Sequence, residues 1–72
     1  MGQLQKTLFQ KKAWLMENIM AVWKTGLNID EEKLIAHFCN KFITTRRNAL
    51  GLLRELELIG NIKRINKEIV KP

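Results

Sequence analysis

The sequence has few of the residues that small domains use for covalent cross-links, metal sites or catalysis. Its 72 residues include one cysteine, one histidine, no tyrosine, no serine, and a single proline at the last position. One cysteine excludes an internal disulfide, and its free thiol predicts a reducing, cytoplasmic setting. His37 and Cys39 are two soft ligands where a zinc site needs three or four, so we predict neither a metal nor a cofactor. We expect both side chains to be buried near the apolar face of a helix.

The longest apolar stretch is too short and too interrupted to cross a membrane. It runs from Trp14 to Trp23, contains Glu17 and Asn18, and has about half of the roughly 20 residues that a membrane helix needs. Acid–base catalysis requires converging carboxylates or an activated nucleophile in a cleft, and a chain this short has little volume for a pocket. We therefore predict no membrane span, no enzyme activity and no small-molecule ligand.

Positive charge is abundant and unevenly distributed. Thirteen Lys and Arg residues against seven Asp and Glu residues give a net charge of +6. Residues 1–36 carry five basic and four acidic residues, whereas residues 37–72 carry eight basic and three acidic ones, including all four arginines. Arginine is the side chain that binds phosphate, or the edge of guanine, through two hydrogen bonds. The second half therefore predicts contact with a polyanion, and the alternative is an ordinary solvated surface.

Apolar spacing predicts a mainly helical single domain. A long first helix covers residues 3–24, has apolar residues over about half of its circumference, and ends at Gly26. A second helix covers residues 30–42, where Asp30 can cap the start and Ile29 can pack against Leu34. Its apolar face consists of Leu34, Ile35, Phe38, Cys39 and Phe42.

A third helix, over residues 44–59, is predicted to have two different faces. Either Thr44 or Thr45 can cap it, and Gly60 ends it. Its core spacing runs through Ala49, Leu50, Leu53, Leu56 and Ile59. The opposite face carries Arg47, Asn48, Gly51, Arg54 and Glu55, with Arg46 at the flank. A cationic face interrupted by a glycine, which lets another surface approach closely, predicts a binding surface.

Residues 61–71 predict a short β-hairpin with a basic tip. Two β-branched runs flank the dipeptide Asn66-Lys67. Because this turn lacks the glycine that is typical of two-residue hairpins, the sequence does not predict a register for the strands.

The order of the predicted elements, three helices followed by a basic hairpin, resembles that of the winged helix-turn-helix family of DNA-binding domains. The resemblance covers about residues 19–71 and rests on DEEKLIA at 30–36, TTRRNAL at 44–50 and LLRELELIG at 52–60. Two features depart from the family pattern: the turn before the third helix lacks its frequent glycine, and the first helix is longer than the family requires. The fold implied is a three-helix winged helix-turn-helix with an extended first helix and a small β-hairpin.

The resemblance implies a transcriptional regulator that binds double-stranded DNA with sequence specificity. The third helix would enter the major groove, where Arg47, Asn48 and Arg54 would contact base edges. Contacts at the rim of the groove would come from Lys41, Thr44, Thr45 and Arg46. Contacts from the wing to phosphate or to the minor groove would come from Lys63, Arg64 and Lys67.

A second copy of the chain is the other predicted partner. So short a chain has a small core, and the apolar arc of the first helix is wider than one neighbouring element covers. We therefore expect a homodimer with contacts through Leu8, Phe9 and Met16, and with Trp14 as an exposed anchor outside the arc. Two other functions stay open: a winged-helix module that binds another protein, and an architectural protein that binds DNA without sequence preference.

Overall fold

The computed structural model describes residues 2–72, with side chains from residue 8 onward. In chain order the elements are α1 (Gly2–Trp23), β1 (Ile29–Asp30), α2 (Glu31–Phe42), α3 (Arg46–Leu58), β2 (Lys63–Ile65) and β3 (Glu68–Val70). The predicted fold class is confirmed, because three helices are followed by a small β-hairpin.

Side-chain caps determine where α2 and α3 begin. Asp30 accepts hydrogen bonds from the backbone N–H groups of Glu32 and Lys33, at 2.9 and 3.4 Å. Thr45 caps α3 by accepting a 3.3 Å hydrogen bond from the N–H of Asn48. Both caps satisfy backbone donors that the first turn of a helix leaves without partners. The predicted cap at Asp30 is confirmed, and of the two candidate threonines the cap is Thr45.

The turn between α2 and α3 contains an unusual backbone conformation. Ile43 ends α2 with φ 51° and ψ 61°, in the left-handed region that β-branched residues rarely adopt. Its side chain is 92% exposed. The glycine that the sequence lacks in this turn would adopt this conformation without steric cost.

The sheet has one more strand than the sequence predicts. β2 and β3 form the hairpin, with Arg64 opposite Ile69 and Ile65 opposite Glu68. β1 pairs with the other edge of β3, where Ile29 lies opposite Ile69. The strand β1 has only two residues, which is too short to show an alternating pattern. Its pairing attaches the hairpin to the beginning of α2.

The core lies between the three helices and the sheet. Its members are Leu15, Ile19, Ile29, Leu34, Ile35, Phe38, Ala49, Leu52, Leu53, Leu56, Ile62 and Ile69. Trp23 also connects α1 to the sheet, because its Nε1 donates a 3.3 Å hydrogen bond to the carbonyl oxygen of Ile69. In α3 the prediction for Ile59 is wrong: Leu52 is buried instead, and Ile59 is 66% exposed because the helix ends one residue before it.

Two side chains of α1 and α2 lie where the sequence did not predict them. Trp14 is half-buried, with its ring centroid 5.9 Å from that of Phe38 and 5.8 Å from that of Phe42. The prediction of an exposed Trp14 is wrong because α2 packs against the side of α1 that carries it. The prediction of a buried His37 is also wrong: it is exposed, while Cys39 is half-buried.

Candidate nucleic-acid interface

The outward face of α3 presents two arginines on either side of a glycine. Ala49, Leu52, Leu53 and Leu56 are buried, so the opposite side of this helix carries Arg47, Gly51, Arg54 and Leu58, all of them exposed. The two arginines are seven residues apart, which is two helical turns or about 10 Å along the axis. Neither arginine takes part in the ion pairs that the described side chains form.

On one flank of this face, Arg46 binds back to α2. Its guanidinium forms a two-point ion pair with the carboxylate of Glu32, in which Nε lies 3.3 Å from Oε2. The hydrogen bond from Arg46 lowers the pKa of the Glu32 carboxyl, and Glu32 raises the pKa of Arg46. Because the folded-state pKa of Glu32 is lowered, the pair stabilises the fold above the ordinary carboxyl pKa. This contribution is lost as the pH falls through the lowered value.

The same flank holds a partly buried ion pair between the wing and the helices. The Nη2 of Arg64 lies 2.5 Å from Oε1 of Glu31, and its Nη1 lies 3.9 Å from Oε1 of Glu57. The side chain of Glu31 is only 9% exposed and that of Arg64 25%. Arg64 thus connects β2 to the start of α2 and to α3, and its charge is already compensated within the chain.

On the other flank, α1 runs beside α3 and closes a groove of about 470 Å³. Lys12 reaches across to Glu55, with Nζ and Oε2 2.9 Å apart. The groove is lined by Leu8, Lys11, Arg47, Asn48, Gly51, Leu52 and Glu55. Sequence reasoning missed Lys11 because its closeness to Arg47 depends on how two helices pack. Leu8, predicted as a dimer contact, also lines this groove, and its side chain is 46% exposed.

The start of α3 holds the polar residues of the predicted interface. The Nδ2 of Asn48 donates a 2.9 Å hydrogen bond to the hydroxyl of Thr44, while Thr45 serves as the cap. Asn48 is exposed, and Thr44 is partly buried. The Nδ2 group carries two N–H donors, so Asn48 can keep its bond to Thr44 and still offer the second N–H and Oδ1 to an adenine edge.

Comparison of the chain with protein-family models, with curated proteins and with solved structures found no match. Its function is therefore argued from geometry and charge. In the part of the chain that the structure describes, no group of three His, Cys, Asp or Glu residues could hold a metal ion. None of the described helices is long and apolar enough to span a membrane.

The wing places its basic residues in different directions. Side chains alternate along a strand, so Lys63 points to the side of the sheet opposite Arg64 and is exposed. Lys67 stands at the tip, where Asn66 and Lys67 have φ values of 51° and 63° in a two-residue turn. Positive φ at both positions is the pattern of a type I′ turn.

Six of the ten predicted DNA contacts fall into three groups in the structure. Arg47, Asn48 and Arg54 share one open region of α3. Arg46 and Arg64 are held by carboxylates, so we assign them to positioning α3 and the wing. Lys41 lines a different groove, between α1 and α2, together with Phe9 and Phe42.

Proposed function

We propose that the protein is a transcriptional regulator that binds double-stranded DNA through α3, as a winged helix-turn-helix domain does. The observation that supports this most directly is the face formed by Arg47, Gly51 and Arg54. It is exposed, and its two cations take no part in the ion pairs among side chains from residue 8 onward. An α-helix with its side chains is about 10–12 Å across, which fits a major groove about 12 Å wide.

The proposed contacts follow from side-chain chemistry and position. Arg47 and Arg54 bind guanine through O6 and N7, and Asn48 binds adenine. Lys11 on α1 and Lys67 on the wing tip lie on opposite flanks of α3 and contact phosphates. Arg46 and Arg64 hold α3 and the wing at a constant distance, which keeps the phosphate contacts in register with the base contacts.

A salt titration of duplex binding tests the proposal. Each neutralised phosphate contributes about −0.9 to the slope of log affinity against log salt concentration, so two to four contacts predict a slope of about −2 to −4. The measurement uses fluorescently labelled duplex, first random and then selected from a random library. A slope near zero, or no binding at about 50 mM salt, would rule the proposal out. A steep slope with no preference for selected sites would indicate an architectural binder.

Replacing Gly51 with alanine should strengthen the fold and weaken DNA binding. A methyl group at this position would meet none of the described side chains within 4 Å, so packing within the chain does not require glycine. Glycine inside a helix costs about 1 kcal/mol relative to alanine, and Gly51→Ala should raise the free energy of unfolding by about that amount. On the bound surface, the same methyl group keeps the backbone of α3 away from the DNA. Urea denaturation and duplex titration measure the two effects.

The matched control is Asn40→Ala, on the exposed side of α2. It also raises helix propensity, by about 0.5 kcal/mol, and it lies outside the α3 face. We expect it to stabilise the protein and to leave DNA affinity unchanged. If Gly51→Ala binds DNA as tightly as the wild type, α3 does not approach DNA closely at this position.

One observation favours a second candidate, a winged-helix module that binds another protein. Leu58 and Ile59 are 75% and 66% exposed at the end of α3, and Leu58 lies on the same side as Arg54. A partner protein with acidic and apolar residues would contact both the Arg54 cation and the exposed side chains of Leu58 and Ile59. This candidate predicts no affinity for duplex DNA at low salt, so the titration above separates the two functions.

A further inference from the structure

The turn between α2 and α3 requires a left-handed backbone at Ile43, but it does not require isoleucine there. Backbone hydrogen bonds hold the conformation, because the N–H groups of Ile43 and Thr44 both donate to the carbonyl oxygen of Cys39. At φ 51° and ψ 61° a β-branched side chain is crowded by the backbone. Glycine or asparagine adopts this conformation at lower cost.

The side chain of Ile43 gains almost nothing from the folded chain. It is 92% exposed, so contacts with the described side chains cover less than a tenth of it. An apolar side chain that stays in water and also strains its own backbone does not stabilise the fold. Backbone strain of this kind is concentrated at functional sites, where a contact outside the chain compensates for it. Ile43 is therefore a candidate contact residue.

The charges around Ile43 favour a polyanion over an apolar protein surface. Residues 33–54, with Ile43 near their middle, contain five Lys and Arg residues and no Asp or Glu. Of these cations Lys41 and Arg47, the nearest unpaired ones on either side, take no part in the ion pairs among side chains from residue 8 onward. The phosphates of a duplex would compensate both charges, whereas an apolar protein surface would leave them desolvated.

Ile43 lies close to the residues of α3 that we propose as base contacts. The hydroxyl of Thr44 is 2.9 Å from Nδ2 of Asn48, which places the turn against the first turn of α3. Successive Cα atoms are about 3.8 Å apart, so the Cα of Ile43 is at most about 9 Å from that amide. Base pairs follow one another every 3.4 Å or so along a strand. The side chain of Ile43 is therefore within one to three base pairs of the base that Asn48 faces.

We infer that Ile43 contacts the C5-methyl group of a thymine, one to three base pairs from the base at Asn48. That methyl is the apolar group by which base edges differ in the major groove. The inference rests on the proposed function, because it requires α3 in that groove. It adds a preference for thymine that the hydrogen-bonding side chains of α3 do not supply. Since the backbone of Ile43 is already fixed, little conformational freedom is lost on contact.

Uracil substitution in the duplex tests the contact, because uracil pairs as thymine does and lacks only the methyl group. Sites selected from a random library should contain a thymine at one position near the base read by Asn48. Each thymine of a selected site is then replaced singly by uracil. We expect one replacement to lower the affinity of the wild type about fourfold, the effect of losing one methyl from an apolar contact.

The variant Ile43→Gly should lose this sensitivity to the methyl group. It should bind the thymine duplex at least fourfold more weakly than the wild type does, and it should bind the uracil duplex with the same affinity as the thymine duplex. Because glycine adopts the left-handed conformation freely, the variant should unfold at no lower a urea concentration than the wild type. A weakened fold therefore does not explain the loss of affinity.

Two matched variants serve as controls. Ile43→Val keeps a branched apolar side chain on the same strained backbone, and we expect it to keep the preference for thymine over uracil. Leu27→Ala removes another exposed apolar side chain, outside α3 and the turn before it, and should change the affinity for neither duplex.

The outcomes distinguish this contact from the proposed function as a whole. If selected sites bind tightly but no thymine position is sensitive to uracil, the inference is wrong and sequence-specific binding through α3 stands. If Ile43→Gly weakens the thymine and uracil duplexes by the same factor, Ile43 contacts the sugar–phosphate backbone and the inference is again wrong. If Ile43→Gly binds both duplexes as the wild type does, Ile43 does not contact DNA. A wild type that binds no duplex at about 50 mM salt would overturn both this contact and the proposed function.

Discussion

Replacing Arg64 with methionine should lower the free energy of unfolding by about 3 kcal/mol in the absence of any ligand. Arg64 compensates the carboxylate of Glu31, whose side chain is 9% exposed and has no other cation within ion-pair distance among the described residues. Methionine fills a similar volume and leaves that carboxylate buried without a partner. Removing one member of a buried pair costs about 3–5 kcal/mol. We expect a cost at the lower end of this range, because the substitution also removes the buried Nε of Arg64. This atom has no hydrogen-bond partner among the described residues, so its removal is favourable.

So large an effect is a considerable part of the total stability of this chain. A domain of 72 residues has a free energy of unfolding of roughly 4–11 kcal/mol. Urea denaturation followed by circular dichroism measures the change. The control is Arg46→Met, which breaks the exposed pair with Glu32 and should have little effect, since exposed ion pairs contribute little.

A double variant shows whether the stability lost in Arg64→Met comes from the unpaired carboxylate of Glu31. Glu31→Leu combined with Arg64→Met leaves no unpaired buried charge, so it should recover most of the stability that Arg64→Met loses. If Arg64→Met leaves unfolding unchanged but lowers duplex affinity, Arg64 is a DNA contact, as the family resemblance implied. Our assignment of Arg64 to positioning the wing would then be wrong.

Replacing Arg47 with alanine should relax the base preference of the protein by about 1–3 kcal/mol at one position of its site. Arg47 is exposed in the first turn of α3, where a guanidinium can bind O6 and N7 of one guanine. Its loss weakens binding to the selected duplex strongly and to random duplex only slightly. Titration of both duplexes at the same salt concentration gives the ratio of their affinities, which should be smaller for the variant than for the wild type.

Lys67→Gly is the matched comparison, because it removes a charge without affecting a base contact. Lys67 has φ 63°, which glycine adopts freely, so the turn should be kept or stabilised. We expect weaker binding to all sequences alike and a salt slope less steep by about 0.9. If the Arg47 and Lys67 substitutions weaken binding to selected and random duplex by the same factor, binding is purely electrostatic.

Local features of the sequence predicted the helices and their beginnings. The caps at Asp30 and Thr45 depend on a side chain and backbone groups two or three residues away, and these are adjacent in any helix that starts there. Exposure of Arg47 and Arg54 follows from the leucine spacing of α3, since residues opposite a buried stripe face outward.

Contacts between elements distant in the sequence were decided only by the tertiary structure. Whether Arg64 is a free cation depends on Glu31, which is 33 residues away, and Lys11 joins the candidate interface only because α1 packs beside α3. Trp14 is covered for the same reason, by α2. The sequence alone determined a helical chain with a cationic third helix. Helix packing decided which of its charges are compensated and which remain available to a partner, because ion pairing depends on distance in space and not along the chain.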